Sequence, residues 1–289
     1  MGVCGGYYEG KVHMKTLYVS DLDGTLLDSS AEFPAPWRDR LNALLENGLP
    51  FTIASARSSH SAPIKLEGVH FRLPSILING AQLYDWEEQK TLRLATLSDN
   101  HVRTALEIYE RHRLAPVTFS LDEHGAFHNS YRTLNGGVYD GHFGTQVREG
   151  DPRFRKVADY RIAYERERCF HITTLALPEE TAAAFAELLA AGVPCSIYDD
   201  VYTGGRFLEC GAADKGSTAL ELKRMLGAEE LVAIGDNLND IPMLQAADRA
   251  VVVQGGHPDA LAVADEVIGP CAQGGVLDFL EREWKKPER

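Results

Sequence analysis

Two carboxylates one residue apart, Asp21 and Asp23, close an otherwise apolar stretch in "YVSDLDGTLLD", Tyr18 to Asp28. In an extended strand residues i and i+2 share a face, so both side chains project into one small volume. Like charges that close are tolerable when a cation sits between them, when they share a proton, or when both reach water. Three further polar signals stand at the ends of predicted strands. Ser55 in "TIASARS" supplies a hydroxyl with neighbouring backbone N–H groups. Lys215 in "ADKGST" adds a positive charge at a helix N-terminus already favourable to anions. "VAIGDNLND" releases Asp236, Asn239 and Asp240 from a strand into a helix. Each has a structural account on its own: a turn at Ser55, a solvated helix residue at Lys215, an N-cap at Asp240 ahead of Pro242. Their coincidence at strand ends, where open α/β sheets bind ligands, has none. "GDNLND" is not a calcium loop, because its sixth position is Ile241 rather than Gly and its twelfth is Ala247 rather than Glu.

The elements that must position these residues follow from short β-rich runs alternating with helical ones, the mark of βαβ units and a parallel sheet. "TLYVS" is the first strand. Trp37, Leu41, Leu44 and Leu45 recur at helical spacing, Gly48 follows as a C-cap, and "PFTIAS" is the second strand. "PSILING" is a third. "RFLEC", a helix over 215–226, "LVAIG", a short helix after Asp240, "RAVVV", a helix from His257 and "EVIG" complete one open sheet built from both ends of the sequence. Between Tyr84 and about Gly205 aromatic residues, His and Arg are more frequent and βα repeats fewer. This predicts an inserted smaller α/β domain, with helices over 99–112 and 178–191 and strands at "APVTFSLD", "CFHITTLAL" and "PCSIYD". The stretch 131–151 reads as a long loop, a class that is often functional. The fold class is therefore α/β, a Rossmann-like parallel-sheet core with an inserted α/β cap. The predicted organisation is a flexible extension over 1–14, a core from 15–83 and 206–289, and a cap over 84–205.

Composition narrows the function classes. The 289 residues carry 29 Lys plus Arg against 42 Asp plus Glu, a net charge of −13. That field repels nucleic acid and anionic membranes, so an anionic substrate needs a local cation. The hydrophobic share of 44% and charged share of 25% are those of an ordinary globular protein. No apolar run approaches the roughly 20 residues that span a bilayer. The five cysteines, Cys4, Cys169, Cys195, Cys210 and Cys271, form no C-x-x-C pair and suit a reducing compartment, so a cytoplasmic location is expected. Gly6 stands where an N-myristoylation signal wants Ser or Thr.

"DLDGT" after a hydrophobic strand, Ser55 at the end of the second, Lys215 before a helix, and "GDNLND" together resemble the haloacid dehalogenase superfamily of phosphatases. The insertion resembles the α/β cap of its Cof-type subgroup. The likeness runs from about Lys15 to about Leu280 and includes "AVADEVIG" and "GGVLDFL". Ser20 departs from the bulky hydrophobe usual in the family, "AVVVQGG" from a run ending in Asn-Ala, and Ser55–Arg57 from a commoner Thr-Gly-Arg.

The resemblance implies a Mg²⁺-dependent phosphatase acting on a small phosphorylated metabolite, in the sugar phosphate class, through an aspartyl-phosphate. Asp21 is then the nucleophile and Asp23 the acid and base. The Mg²⁺ ligands are Asp21, Asp23 through its backbone carbonyl, and Asp236, supported by Asp240. Ser55, Ala56, Lys215 and Asn239 hold the phosphate, Gly24 permits the tight turn, and Thr25 fixes the loop. The cap acts as a lid, with His128, Arg132, His142, Tyr202 and Arg206 as candidates to face the substrate. A phosphomutase of the same superfamily would want a cap cation cluster that the sequence lacks. A non-catalytic phosphosugar-binding protein would not need Asp21, Asp23, Lys215 and Asp236 together. The partner expected is a small phosphoester, with no nucleic acid or membrane, and the sequence leaves the oligomeric state open.

Overall fold

The chain is described by a computed structural model covering residues 14–133, 143–148, 150–200 and 203–285. It divides into two units, one formed by the chain through Leu94 together with Asp214 onward, the other by Ala95–Ala213. Residues 1–13 of the expected extension, together with His142 and Tyr202, lie outside the described residues.

The first unit is built on five parallel strands, in the order Glu266–Ile268, Arg249–Val253, Glu230–Gly235, Thr16–Ser20, Phe51–Ile53. Residues 17–20, 231–235 and 250–253 are buried without interruption, as parallel strands covered on both faces must be. Leu17 and Val19 join Leu231, Ala233 and Val252 in a core with Leu222 of the helix Lys215–Leu226 and Met243 and Leu244 of Ile241–Ala246. Tyr18, pointing to the other face, meets Phe279 of the helix Gly275–Trp284 edge-on at 6.4 Å. Ser20 lies opposite both Ile234 and Ile53, so the chains that continue into Asp21, Asp236 and Ser55 leave the sheet at one edge.

The helix Lys215–Leu226 starts where it does because the Asp214 carboxylate accepts from Ser217 N–H at 2.8 Å, while the Ser217 hydroxyl sits 3.2 Å from Asp214 N–H. It packs backbone to backbone against Ile241–Ala246: a Cβ on Gly216 would stand 2.3 Å from the Pro242 carbonyl oxygen.

"PSILING" does not extend the parallel sheet. Ser75–Leu77 pairs antiparallel with Gln82–Asp85, which pairs with Lys90–Leu94, and this small sheet is tied to the larger one by a parallel Ala54–Ile76 bridge, by Ser55 N–H donating to Ile76 O at 2.8 Å and by the Thr52 hydroxyl donating to Pro74 O at 2.9 Å. Residues 84–94, expected in the insertion, therefore belong to the first unit. "RFLEC" also lies elsewhere than expected. Arg206–Gly211 runs antiparallel between Arg168–Ala176 and Cys195–Asp199 in the six-stranded sheet of the second unit, whose remaining strands are Val117–Leu121, Phe127–Tyr131 and Phe154–Lys156. Helices Asp99–Arg111 and Pro178–Ala190 cover this sheet through Val102, Leu106, Tyr109, Ala184 and Leu188, which pack with Ile172, Leu208 and Cys210. Within the expected loop, Gly144–Arg148 is helical, and residues 134–142 and 149 lie outside the described part.

Replacing Gly216 by Ala is expected to lower stability by about 1–3 kcal/mol, because a packed backbone must shift to admit one methyl. Urea unfolding of G216A beside wild type measures this, and an unchanged midpoint would contradict the close approach.

Candidate active site

Lys215, without solvent exposure, is the centre of the strand-end cluster. Its Nζ donates to Asp21 Oδ1 at 2.5 Å and to Asp240 Oδ1 at 2.6 Å. The second Asp240 oxygen accepts the N–H groups of Asp236 and Asn237, both at 3.0 Å. Asp240 is thus occupied on both oxygens and braces the loop that carries Asp236. It does not cap its own helix with its side chain, while Asn237 caps the short turn Leu238–Asp240. Asp236 Oδ1 accepts from the Thr25 hydroxyl at 2.6 Å. Gly24, at φ +82°, lies so close that a Cβ there would stand 2.5 Å from Asp236 Oδ2, so both conformation and space require glycine.

Oxygens of Asp21, Asp236 and Asp240 lie within 4.8 Å of one another, all three residues buried. Such a group of hard oxygen donors fits a divalent cation such as Mg²⁺ or Ca²⁺. The protonation balance agrees with that fit. Burial, then the adjacent Asp240, hold the Asp21 carboxyl well above the usual carboxylate range, with Lys215 opposing. Burial and Asp240 likewise raise Asp236 to about 7, against the Thr25 hydrogen bond and Lys215. Burial works against the charge on Lys215, but Asp21 and Asp240 outweigh it and keep the ammonium above its ordinary range.

The other strand-end residues arrive nearby along the backbone. Ala54 N–H donates to Ser20 O at 2.8 Å, setting Ser55 and Ala56 beside the exit of Asp21. Ser55 is buried, and its hydroxyl accepts from Arg57 N–H at 3.1 Å. The Asn239 amide donates to Asn79 Oδ1 at 3.1 Å. The Asp23 side chain stands outside the carboxylate group. Both its oxygens accept from Arg57, Nε at 2.8 Å and Nη2 at 2.6 Å, in a bidentate pair. Arg57 and Asn79 have no place among the sequence-derived site residues. Arg57 lies two residues after Ser55, where the sequence alone gives it no role, and the one sign at Asn79 is an Asn-Gly turn after an apolar strand.

In the second unit, His128 pairs with Asp122 at 2.9 Å, Arg132 with Glu110 at 3.1 Å and Arg206 with Asp199 at 2.5 Å. The sequence reading also missed a buried polar group there. Glu209 Oε1 receives the Tyr198 hydroxyl at 2.8 Å and the Thr173 hydroxyl at 3.3 Å, and His171 Nε2 lies 3.3 Å away.

A pH dependence follows for the chain held in chelator. The folded Asp236 carboxyl, at about 7, binds its proton more tightly than the unfolded one near 3.8. Its contribution to stability is therefore complete below about pH 4 and lost as pH rises through about 7, at roughly 1.4 kcal/mol per pK unit. Asp236→Asn, which retains an acceptor for Thr25, is expected to remove part of this loss. It should gain on wild type by a few kcal/mol between about pH 5 and pH 8.5 in urea unfolding. Parallel pH profiles for the two proteins would contradict the account.

Comparison with known proteins accords with these features. Residues 18–280 match the haloacid dehalogenase-like hydrolases. The chain is 25% identical over 284 residues to the glucosyl-3-phosphoglycerate/mannosyl-3-phosphoglycerate phosphatase of Methanococcoides burtonii, covering 92% of this chain and 98% of that one. It is 25% identical over 273 residues to the pyridoxal phosphate phosphatase YbhA of Escherichia coli, covering 90% and 95%. The solved structure of the HAD subclass IIB sugar phosphatase BT4131 shares the fold, with a TM-score of 0.73 at 20% identity over 94% of this chain and 99% of that one. The chain belongs to the haloacid dehalogenase-like hydrolase family and is an enzyme of its phosphatase class.

Proposed function

We propose that the protein hydrolyses a small phosphorylated metabolite, of the sugar phosphate class, through an aspartyl-phosphate on Asp21. The observation that carries this reading is the fully buried Lys215, whose ammonium lies against Asp21 and Asp240. The Lys215 ammonium opposes the protonation that burial favours at Asp21 and offers charge to an incoming dianion.

In the first step an Asp21 oxygen forms a bond to phosphorus while the bond to the leaving oxygen breaks, and Asp23 gives its proton to that oxygen. In the second, Asp23 takes a proton from water as the water attacks phosphorus, which releases inorganic phosphate and restores the Asp21 carboxylate. Both Asp23 oxygens accept from Arg57, so proton transfer at Asp23 requires one of these bonds to be given up. Ser55, Ala56, Asn239 and Lys215 would orient the phosphoryl oxygens. Asp21, Asp236 and the backbone carbonyl of Asp23 would hold Mg²⁺, with Asp240 and Thr25 fixing the surrounding loops. Bound there, Mg²⁺ supplies positive charge that offsets the carboxylates and the phosphoryl oxygens.

The sugar phosphate class is supported by the name of the structural neighbour BT4131, while the curated relatives are named for a glycosylated phosphoglycerate and for pyridoxal phosphate, other small phosphoesters. A catalytic core interrupted by an inserted cap is the functional division we infer, with the two compact units ending at Leu94 and resuming at Asp214 rather than at the expected 83 and 206. No helix of the described residues is long and apolar enough to cross a membrane. Cys169, Cys195, Cys210 and Cys271 are free thiols, which supports a reducing, cytoplasmic setting.

Phosphate release from hexose, pentose and triose phosphates and one aryl phosphate tests the reading. Turnover is expected to require Mg²⁺, to stop in chelator, and to fall at least about a thousandfold in Asp21→Asn. Full activity in that variant, or no release from any substrate by folded protein with Mg²⁺ present, would overturn it.

A further inference from the structure

Residues Ile78, Asn79 and Gly80 all have positive φ, at +51°, +47° and +100°. A β-branched residue in this region is a conformational outlier, and asparagine is among the few side chains that enter it readily. Such conformations persist only where surrounding contacts over-determine them, and they concentrate at functional sites. The contacts here reach three parts of the candidate site. Ile78 N–H donates to Arg57 O and Asn79 N–H to Ser55 O, each at 3.0 Å, which pins the turn carrying Ser55. Gly80 O accepts the Thr218 hydroxyl at 2.9 Å, and a Cβ on Gly80 would fall 2.2 Å from Asp214 O, so the segment lies directly against the start of the Lys215 helix. The Asn79 side chain, buried, accepts from Asn239 Nδ2 at 3.1 Å.

We propose that Asn79 is a positioning residue for phosphate binding, acting through Asn239 and through the Ser55 turn. An amide nitrogen carries two hydrogens, and one of those on Asn239 is directed to Asn79. That bond selects one orientation of the Asn239 amide, with its remaining N–H in a fixed direction. The left-handed backbone at Asn79 separately fixes the path of the Ser55 turn, and Asn is suited to both tasks at once. The proposal rests on the reading of Asn239 and Ser55 as phosphate-holding groups.

Asn79→Gly isolates the side chain, because glycine adopts the same backbone conformation without strain. Inorganic phosphate binding is measured by calorimetry with Mg²⁺ present for wild type, Asn79→Gly, Asn239→Ala and the double variant, with thermal melting in parallel. Asn79→Gly is expected to weaken phosphate binding about fivefold, the loss of one net hydrogen bond, with little change in melting temperature. The double variant should bind no more weakly than Asn239→Ala alone, since residues acting in series are not additive. Unchanged phosphate affinity in Asn79→Gly, or losses that multiply in the double variant, would overturn the proposal. Wild-type turnover of the aryl phosphate, measured alongside, reports separately on the phosphatase reading.

Discussion

The ammonium of Lys215, with no contact with solvent, is the charge around which the first unit is arranged. A buried lysine keeps its proton only where carboxylates replace the lost hydration, and Asp21 and Asp240 do so. Those two partners come from opposite regions of the sequence. Asp21 leaves the strand Thr16–Ser20, Asp240 follows the strand Glu230–Gly235, and the two strands lie side by side in parallel. Lys215 is delivered by a helix whose start is fixed by the Asp214 cap and whose distance from Asp240 is set by Gly216 against Pro242. Asp240 then uses its other oxygen to hold the backbone that aims Asp236. Burial first, and then the crowding of three carboxylates around one ammonium, raises the protonation of Asp21 and Asp236.

The same cluster separates what was readable in the sequence from what was not. Asp21, Asp23, Lys215, Asp236 and Asp240 were legible through their coincidence at the junctions of one run of βα repeats, since each alone has an ordinary structural use. The strand ends could be placed together because βα alternation implies parallel strands with a common edge. Arg57 and Asn79 lacked such a signal, since their roles depend on pairing with Asp23 and Asn239, 34 and 160 residues away. The misplaced strands have a similar cause. "SIL" and "RFLEC" are apolar enough for either sheet, and nothing local says whether a short strand joins a parallel or an antiparallel neighbour. The division between the two units falls accordingly, with Lys90–Leu94 held by the hairpin in the first and Arg206–Gly211 held between two antiparallel strands in the second.

In the second unit, polarity is distributed differently. Its helices cover one sheet face with aliphatic side chains and the Tyr109 ring. Glu209, His171, Thr173 and Tyr198 form a buried hydrogen-bonded group on strands of the same sheet. Strand alternation places Glu209 and Leu208 on opposite faces, so one sheet carries both an apolar core and a polar surface. Buried polar groups of this kind fix the register of the strands that carry them, because a slip of one residue would leave each partner unpaired.

Ion binding is the direct test of whether the group of Asp21, Asp236 and Asp240 takes a divalent cation. Calorimetric titration with Mg²⁺, run near about pH 6.5 and again near about pH 9 in buffers of different ionisation enthalpy, counts ions and protons together. The expected result is one Mg²⁺ per chain, with more protons released at the lower pH than at the higher, as the cation displaces the proton held by Asp236, whose carboxyl is raised by burial to about 7. Failure to bind Mg²⁺, or binding with the same proton count at both pH values, would contradict it.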